Sequence, residues 1–155
     1  EDALREYQRL FLGSDQAAEV RRRREAALRA LAFFREFEPR LVGPVLDGTA
    51  DANTAVALHV HHDDPDALPR LFEEHGVPAQ SRSRHLRLDR EREGDFPVWL
   101  FSAEDLSFDV TVLPQDVLRQ APLSGIDEKP MKRASESQLR ALLAEDEIAG
   151  YEASE

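Results

Sequence analysis

Two histidines and one aspartate are the residues of this sequence whose types and spacing could bind a metal ion. His59 and His61 alternate with Val60 in a strand-like segment, so their side chains share one face of a sheet. Asp109 takes the polar face of a later strand-like segment. Imidazole with carboxylate suits Zn²⁺, Mn²⁺ or Ni²⁺. Two interpretations of the histidine pair stay open: a metal site that includes Asp109, and an exposed polar strand face.

Arginines form a second group that could bind an anion. The run 21–24 lies in helical text, where four consecutive positions cover a whole turn, which is typical of a solvated face. A second series follows a predicted strand and turn: Arg82, Arg84, Arg87, Arg90 and Arg92. Together the two groups could form a basic surface for a nucleotide or RNA. Within the strand, His85, Arg87 and Asp89 are predicted to face the cleft of Asp109, opposite to Leu86 and Leu88.

The periodicity of the apolar residues predicts the elements that position these side chains. Helical spacing covers 2–12, 14–38 and 64–75, and a short C-terminal helix follows a capping box of Ser135 and Gln138. Alternating text predicts five strands at 40–46, 55–61, 84–89, 97–101 and 107–112. Gly13 is predicted to separate the first two helices. The fold class is therefore α+β, with a mixed sheet of about five strands and helices on one face.

Length and composition set the remaining limits. The 155 residues predict one domain over 1–145 and an acidic, frayed tail over 146–155. The absence of cysteine excludes disulfides, thiolate zinc sites and thiol catalysis. A net charge of -11 makes nucleic acid an unfavourable partner. No apolar run could span a membrane and no signal peptide precedes the first helix, so we expect a cytoplasmic protein.

The segment 43–60, GPVLDGTADANTAVALHV, carries a resemblance to a known family. It resembles the polymerase-beta-like nucleotidyltransferases, in which Gly-Ser, a spacer and Gly-Thr precede Ser-Asp-Ile-Asp-Leu on a strand. The resemblance covers about the first two thirds of the chain, and it implies that Gly43, Gly48 and Thr49 contact a nucleotide. It also implies that Asp109 is the third metal-binding acid of the family.

The departures from that pattern concern the catalytic residues. Pro44 replaces the phosphate-contacting Ser, and Ala55 and Ala57 replace the paired Asp ligands of the metal ions. An alanine methyl group offers neither charge nor lone pair to a hard cation. The resemblance therefore implies an inactive member that acts as a nucleotide-sensing, regulatory or protein-interaction module.

Two other hypotheses remain. One is a divergent nucleotidyltransferase in which His59, His61 and Asp109 hold a changed metal set, with Mg²⁺ or Mn²⁺, or with Zn²⁺ or Ni²⁺ at the histidine pair. The other is an unrelated α+β domain whose likeness is accidental. The nucleotide, the acceptor and any protein partner cannot be named from the sequence.

Overall fold

A computed structural model describes the backbone of residues 2–154 and the side chains of residues 15–146. Its four α-helices are α1 (Asp2–Phe33), α2 (Pro44–Asp47), α3 (Ala67–Glu74) and α4 (Glu136–Ser154). Its strands are β1 (Arg40–Val42), β2 (Val56–His61), β3 (Gln80–Arg87), β4 (Glu93–Ala103) and β5 (Leu106–Leu113). The α+β class and the five strands confirm the prediction.

The five strands form one mixed sheet in the order β1-β2-β5-β4-β3. β2 and β5 are parallel, and every other neighbouring pair is antiparallel. β2 and β5 lie side by side within the sheet. They carry the candidate metal ligands His59, His61 and Asp109. The register pairs Ala57 with Asp109 and His59 with Thr111.

One face of the sheet, here called the helix-covered face, is apolar. It carries Val56, Leu58 and Val60 of β2 beside Phe108, Val110 and Val112 of β5, all buried. Residues of α1, α3 and α4 belong to the same cluster, including Leu31, Phe72 and Leu139. The predicted packing of helices on this face is confirmed.

The opposite face, here called the arginine face, carries the polar side chains. Its members are Arg40, Ala57, His59, His61, Arg82, Arg84, Asp109 and Thr111. One end of it is covered by the segment 114–134, because Val117 packs with Leu113 and Leu88 in a second, smaller cluster. The other end, around Ala57 and Asp109, borders an open cavity.

Several predicted boundaries were wrong: the strands predicted at 84–89 and 97–101 run over Gln80–Arg87 and Glu93–Ala103, and the helix predicted to end at 38 ends at Phe33. Gly13 does not end a helix, since α1 runs unbroken through it; a glycine inside a helix costs only about 1 kcal/mol relative to alanine. β1 ends at Val42, because Gly43 adopts a φ of 77° and Pro44 begins α2. α4 continues to Ser154 and is not short. The fraying of the tail 146–155 stays a prediction.

None of the helices within residues 2–154 combines the length and the apolar composition that crossing a lipid bilayer requires.

Candidate functional site

The turn after β1 brings Gly43, the predicted nucleotide contact, beside Ala57, where the resemblance expects a metal-binding acid. A Cβ atom built on Gly43 would lie 3.5 Å from the Cβ of Ala57. Ala57 is in turn the direct partner of Asp109 across the parallel β2–β5 pair. Three positions predicted from separate parts of the sequence therefore meet at one place on the arginine face.

Gly48 and Thr49 lie elsewhere. Gly48 ends α2 with a φ of 81° and faces α1, where a Cβ would approach Nη2 of Arg24 at 3.4 Å. The Thr49 amide donates to Pro44, and its side chain is exposed. The three predicted nucleotide contacts do not line one cavity.

Two buried arginines of α1 fix the segment between β1 and β2. Arg24 donates to the carbonyls of Val45 and Leu46 at 2.9 and 2.8 Å and pairs with Asp146. Arg23 donates to the carbonyls of Ala52 and Thr54 at 2.9 and 2.8 Å.

The prediction that the run 21–24 is a solvated face was therefore wrong for these two residues. Arg23 and Arg24 satisfy the carbonyls of a segment with few backbone partners of its own, which is why they are buried. The sequence offered one sign of this burial: the segment 43–54 is irregular, so its backbone carbonyls need hydrogen-bond donors from elsewhere.

Arg84 neutralises the one acid that the resemblance retains. Its Nη1 and Nη2 donate to the two carboxylate oxygens of Asp109 at 2.9 and 2.6 Å, and Nη1 also donates to Oγ1 of Thr111 at 2.9 Å. The bidentate hydrogen bond with Asp109 is the main reason why the pKa of Arg84 is raised. A carboxylate held this way has few lone pairs left for a cation.

The prediction that His85, Arg87 and Asp89 face Asp109 was wrong. The sequence interpretation placed Leu86 and Leu88 on the face opposite to Asp109, which would turn Arg84 away from Asp109 too. Leu86 and Leu88 instead pack with Leu113 under the segment 114–134, on the arginine face. A second apolar cluster on the polar side of the sheet is not visible in the alternation alone.

His59 and His61 are buried, so the interpretation as an exposed strand face was wrong. Their side chains belong to residues that are 3% and 1% exposed. Nδ1 of His61 donates to the Glu38 carbonyl at 2.7 Å, whereas Nε2 of His61 and Nδ1 of His59 have no partner among the described residues.

Both imidazoles are held neutral by their surroundings. Burial, then the nearby His61 and Arg84, lower the pKa of His59 to about 4. Burial also lowers the pKa of His61, against the opposing hydrogen bond to Glu38. Protonation of either ring would place an uncompensated charge in the interior.

A preformed metal site is not found. Among the side chains of residues 15–146, no three His, Asp or Glu residues lie close enough to hold one ion. The structure thus places His59, His61 and Asp109 on one face without bringing their ligand atoms together.

The arginine face has more cations than carboxylates. Arg40, Arg82 and Arg133 donate only to carbonyls or to an amide oxygen of the described residues, and they have no carboxylate partner there. Arg133 and Arg40 act on the histidines electrostatically, which places them near His59 and His61. Beside them, Asp109 is the carboxylate that acts on His59. A cationic surface in a protein of charge -11 can attract an anion.

A cavity of about 560 Å³ opens at the free end of this face. Its wall includes Ala55, Gln80, Leu100, Ser107 and Asp109. Cavities of this size hold small ligands and commonly mix apolar walls with a few polar groups.

Comparisons of the chain with protein-family models, with curated proteins and with solved structures find no match. Membership of the nucleotidyltransferase superfamily therefore stays a prediction from the residues of the segment 43–60.

Proposed function

We propose that this chain is a nucleotidyltransferase-like domain that has lost catalysis and acts as a nucleotide-sensing module. The proposal rests on one observation above all: Ala57 stands directly opposite Asp109, and Arg84 holds that aspartate in a bidentate ion pair. The place where the resemblance expects three metal-binding acids then carries two methyl groups and a neutralised carboxylate.

The arrangement of the neighbouring elements supports the same proposal. β1 and β2 are antiparallel, a glycine with positive φ joins β1 to α2, and β5 lies parallel to β2. With this arrangement, acids at the positions of Ala55, Ala57 and Asp109 on β2 and β5 would lie close to the turn after β1, as the resemblance expects. Metal-assisted transfer needs anionic oxygen ligands, so replacing them by alanine removes the chemistry and leaves the cavity.

The alternative, a divergent transferase that uses His59, His61 and Asp109, receives less support. A catalytic metal requires ligand atoms that converge, and no such group of three exists among residues 15–146. Nε2 of His61 and Nδ1 of His59 are unpartnered but enclosed.

Thermal unfolding and pyrophosphate release, measured together, test the proposal. The full chain is melted with each of the four nucleoside triphosphates, with and without Mg²⁺ or Mn²⁺, and the same mixtures are assayed for pyrophosphate. We expect at least one nucleotide to raise the melting temperature, because a ligand present at about 100 times its Kd adds about 2.7 kcal/mol. We expect no pyrophosphate.

Metal-dependent pyrophosphate release that disappears in both His59→Ala and Asp109→Ala would contradict the proposal and support the divergent enzyme. The absence of any nucleotide effect on the melting temperature would contradict nucleotide sensing.

A further inference from the structure

Arg84 keeps one edge of its guanidinium group free. The Nη1 and Nη2 atoms donate to Asp109 and Thr111, while Nε–H and the second Nη2 hydrogen have no acceptor among the described residues. These two hydrogens lie on one edge and point in parallel, which is the geometry that binds two oxygens of a phosphate or carboxylate. The side chain is 40% exposed, so this edge can be reached from solvent.

The ion pair with Asp109 orients the guanidinium group of Arg84 and leaves some of its N–H donors free. An arginine has five N–H donors, and three of them are used here. Two anchored nitrogens hold the plane of the group, so little further conformational entropy is lost when a ligand binds the free edge.

Arg82 provides a further cation on the same face. It lies two residues before Arg84 on β3, and it donates to Gln80 and to its neighbour's carbonyl but to no carboxylate of the described residues. Gln80 and Asp109 both line the cavity of about 560 Å³. Arg82 and Arg84 adjoin this cavity through their contacts with Gln80 and Asp109, so a phosphate held by the two arginines would lie beside it, with the rest of the ligand against Leu100.

We propose that Arg84, supported by Arg82, binds the phosphate groups of a nucleotide beside this cavity without a divalent metal. The inference rests on the proposed nucleotide-sensing function and names how the ligand is recognised. Because Asp109 balances the charge of Arg84, the excess positive charge comes from Arg82, and Arg84 contributes its two oriented N–H donors.

Calorimetric titration of the full chain in EDTA tests this inference. The probes are ATP, inorganic triphosphate and adenosine. We expect ATP and triphosphate to bind without metal, adenosine not to bind, and added salt to weaken the binding, because the contact is ionic. Tighter binding of ATP than of triphosphate identifies a nucleotide as the ligand, and equal binding identifies an inorganic polyphosphate; either result supports the arginine site.

Matched variants locate the site. Arg84→Gln should lose at least about tenfold in affinity for triphosphate, as the loss of a charged bidentate contact predicts. Arg84→Lys should lose affinity in part, because it keeps the charge without the fork. Arg87→Gln is the control: Arg87 is on the same strand and similarly exposed at 42%, and its partner is Glu128. We expect Arg87→Gln to bind like the wild type.

Three results would overturn the inference, and they differ in whether the proposed nucleotide-sensing function survives. Nucleotide binding that requires Mg²⁺ or Mn²⁺ overturns recognition by arginine and leaves nucleotide sensing intact. Equal losses in Arg84→Gln and Arg87→Gln overturn the site and indicate a general charge effect. Absence of binding under every condition overturns both proposals.

Discussion

The two faces of the sheet differ in the side chains that the same two strands, β2 and β5, present. On the helix-covered face, β2 and β5 present valine, leucine and phenylalanine to three helices. On the arginine face the same strands present two buried histidines, a threonine and an aspartate, beside arginines from β1 and β3. Burial of polar groups costs stability where partners are missing. The comparison indicates that the first face maintains the fold, and we propose that the second carries function.

The largest expected difference between the faces concerns adjacent residues of β2. Leu58→Ala opens a cavity in the helix-covered core, where Leu58 has no exposure, and should lower the free energy of unfolding by about 3 to 4 kcal/mol. Ala57→Ser, one residue away on the arginine face, should cost less than about 1 kcal/mol. Chemical denaturation measures both. Similar costs for the two variants would contradict the division of roles.

Acid should destabilise the protein through the arginine face. The pKa of His59 falls from 6.5 to about 4 on folding, so the unfolded chain binds more protons between these values. Stability is therefore complete above pH 6.5 and is lost as the pH falls toward 4, by at most about 3 kcal/mol from this residue.

The lowered pKa of His61 acts in the same direction. The pKa values of some carboxylates, such as Asp51, are also lowered, and these too favour the native state at higher pH. The effect of His59 must therefore be measured as the difference between the wild type and a variant. Denaturation of the wild type and of His59→Gln is compared across this range, and the variant should show the smaller pH dependence. Identical pH dependence would show that His59 does not titrate as its burial requires.

The two buried arginines of α1, Arg23 and Arg24, should contribute stability but no binding. Arg24→Met leaves the carbonyls of Val45 and Leu46 without their donor and should cost about 2 kcal/mol. Arg22→Met is the matched control, because Arg22 is exposed and makes one long contact, to the Glu104 carbonyl at 3.4 Å. Thermal denaturation measures both variants. A cost for Arg22→Met as large as that for Arg24→Met would contradict the assignment.

The smallest effect on stability is expected from the ion pair to which we assign the largest role in binding. Arg84 is 40% exposed and Asp109 is 16% exposed, so the pair lies between solvent-exposed ion pairs, which contribute about 0 to 1 kcal/mol, and buried ones, which cost more to break. Arg84→Gln should therefore lower the free energy of unfolding by about 1 kcal/mol. A loss of several kcal/mol would assign Arg84 to the maintenance of the fold.

The sheet was predictable because alternation of polar and apolar residues marks its central strands. Val56, Leu58 and Val60 and the series Phe108, Val110 and Val112 are correctly assigned to one face. The same alternation places His59 and Asp109 on the polar face, opposite the core. The alternation of polar and apolar residues is a local property of each strand, so it can be read directly from the sequence.

The partners of the site residues were not predictable in the same way. Arg84 reaches Asp109 across β4, and this contact depends on the pairing register of three strands. The burial of His59 and His61 depends on the coverage of one end of the sheet by a segment more than fifty residues later in the chain. Arg23 and Arg24 are buried because the segment 44–54 needs donors, which the run of four arginines does not reveal.

The most direct test of the account is to restore the acids. In the variant Ala55→Asp, Ala57→Asp, Arg84→Gln, two carboxylates are added on the arginine face and Asp109 is released from its ion pair. Mn²⁺ binding is then measured by electron paramagnetic resonance, with the further change Asp109→Asn as control. We expect the triple variant to bind Mn²⁺ at least about tenfold more tightly than the wild type, because anionic oxygens are the ligands that such cations need. We also expect the control to lose most of the gain. No gain in a variant that remains folded would contradict the claim that these positions form a vacated nucleotidyltransferase metal site.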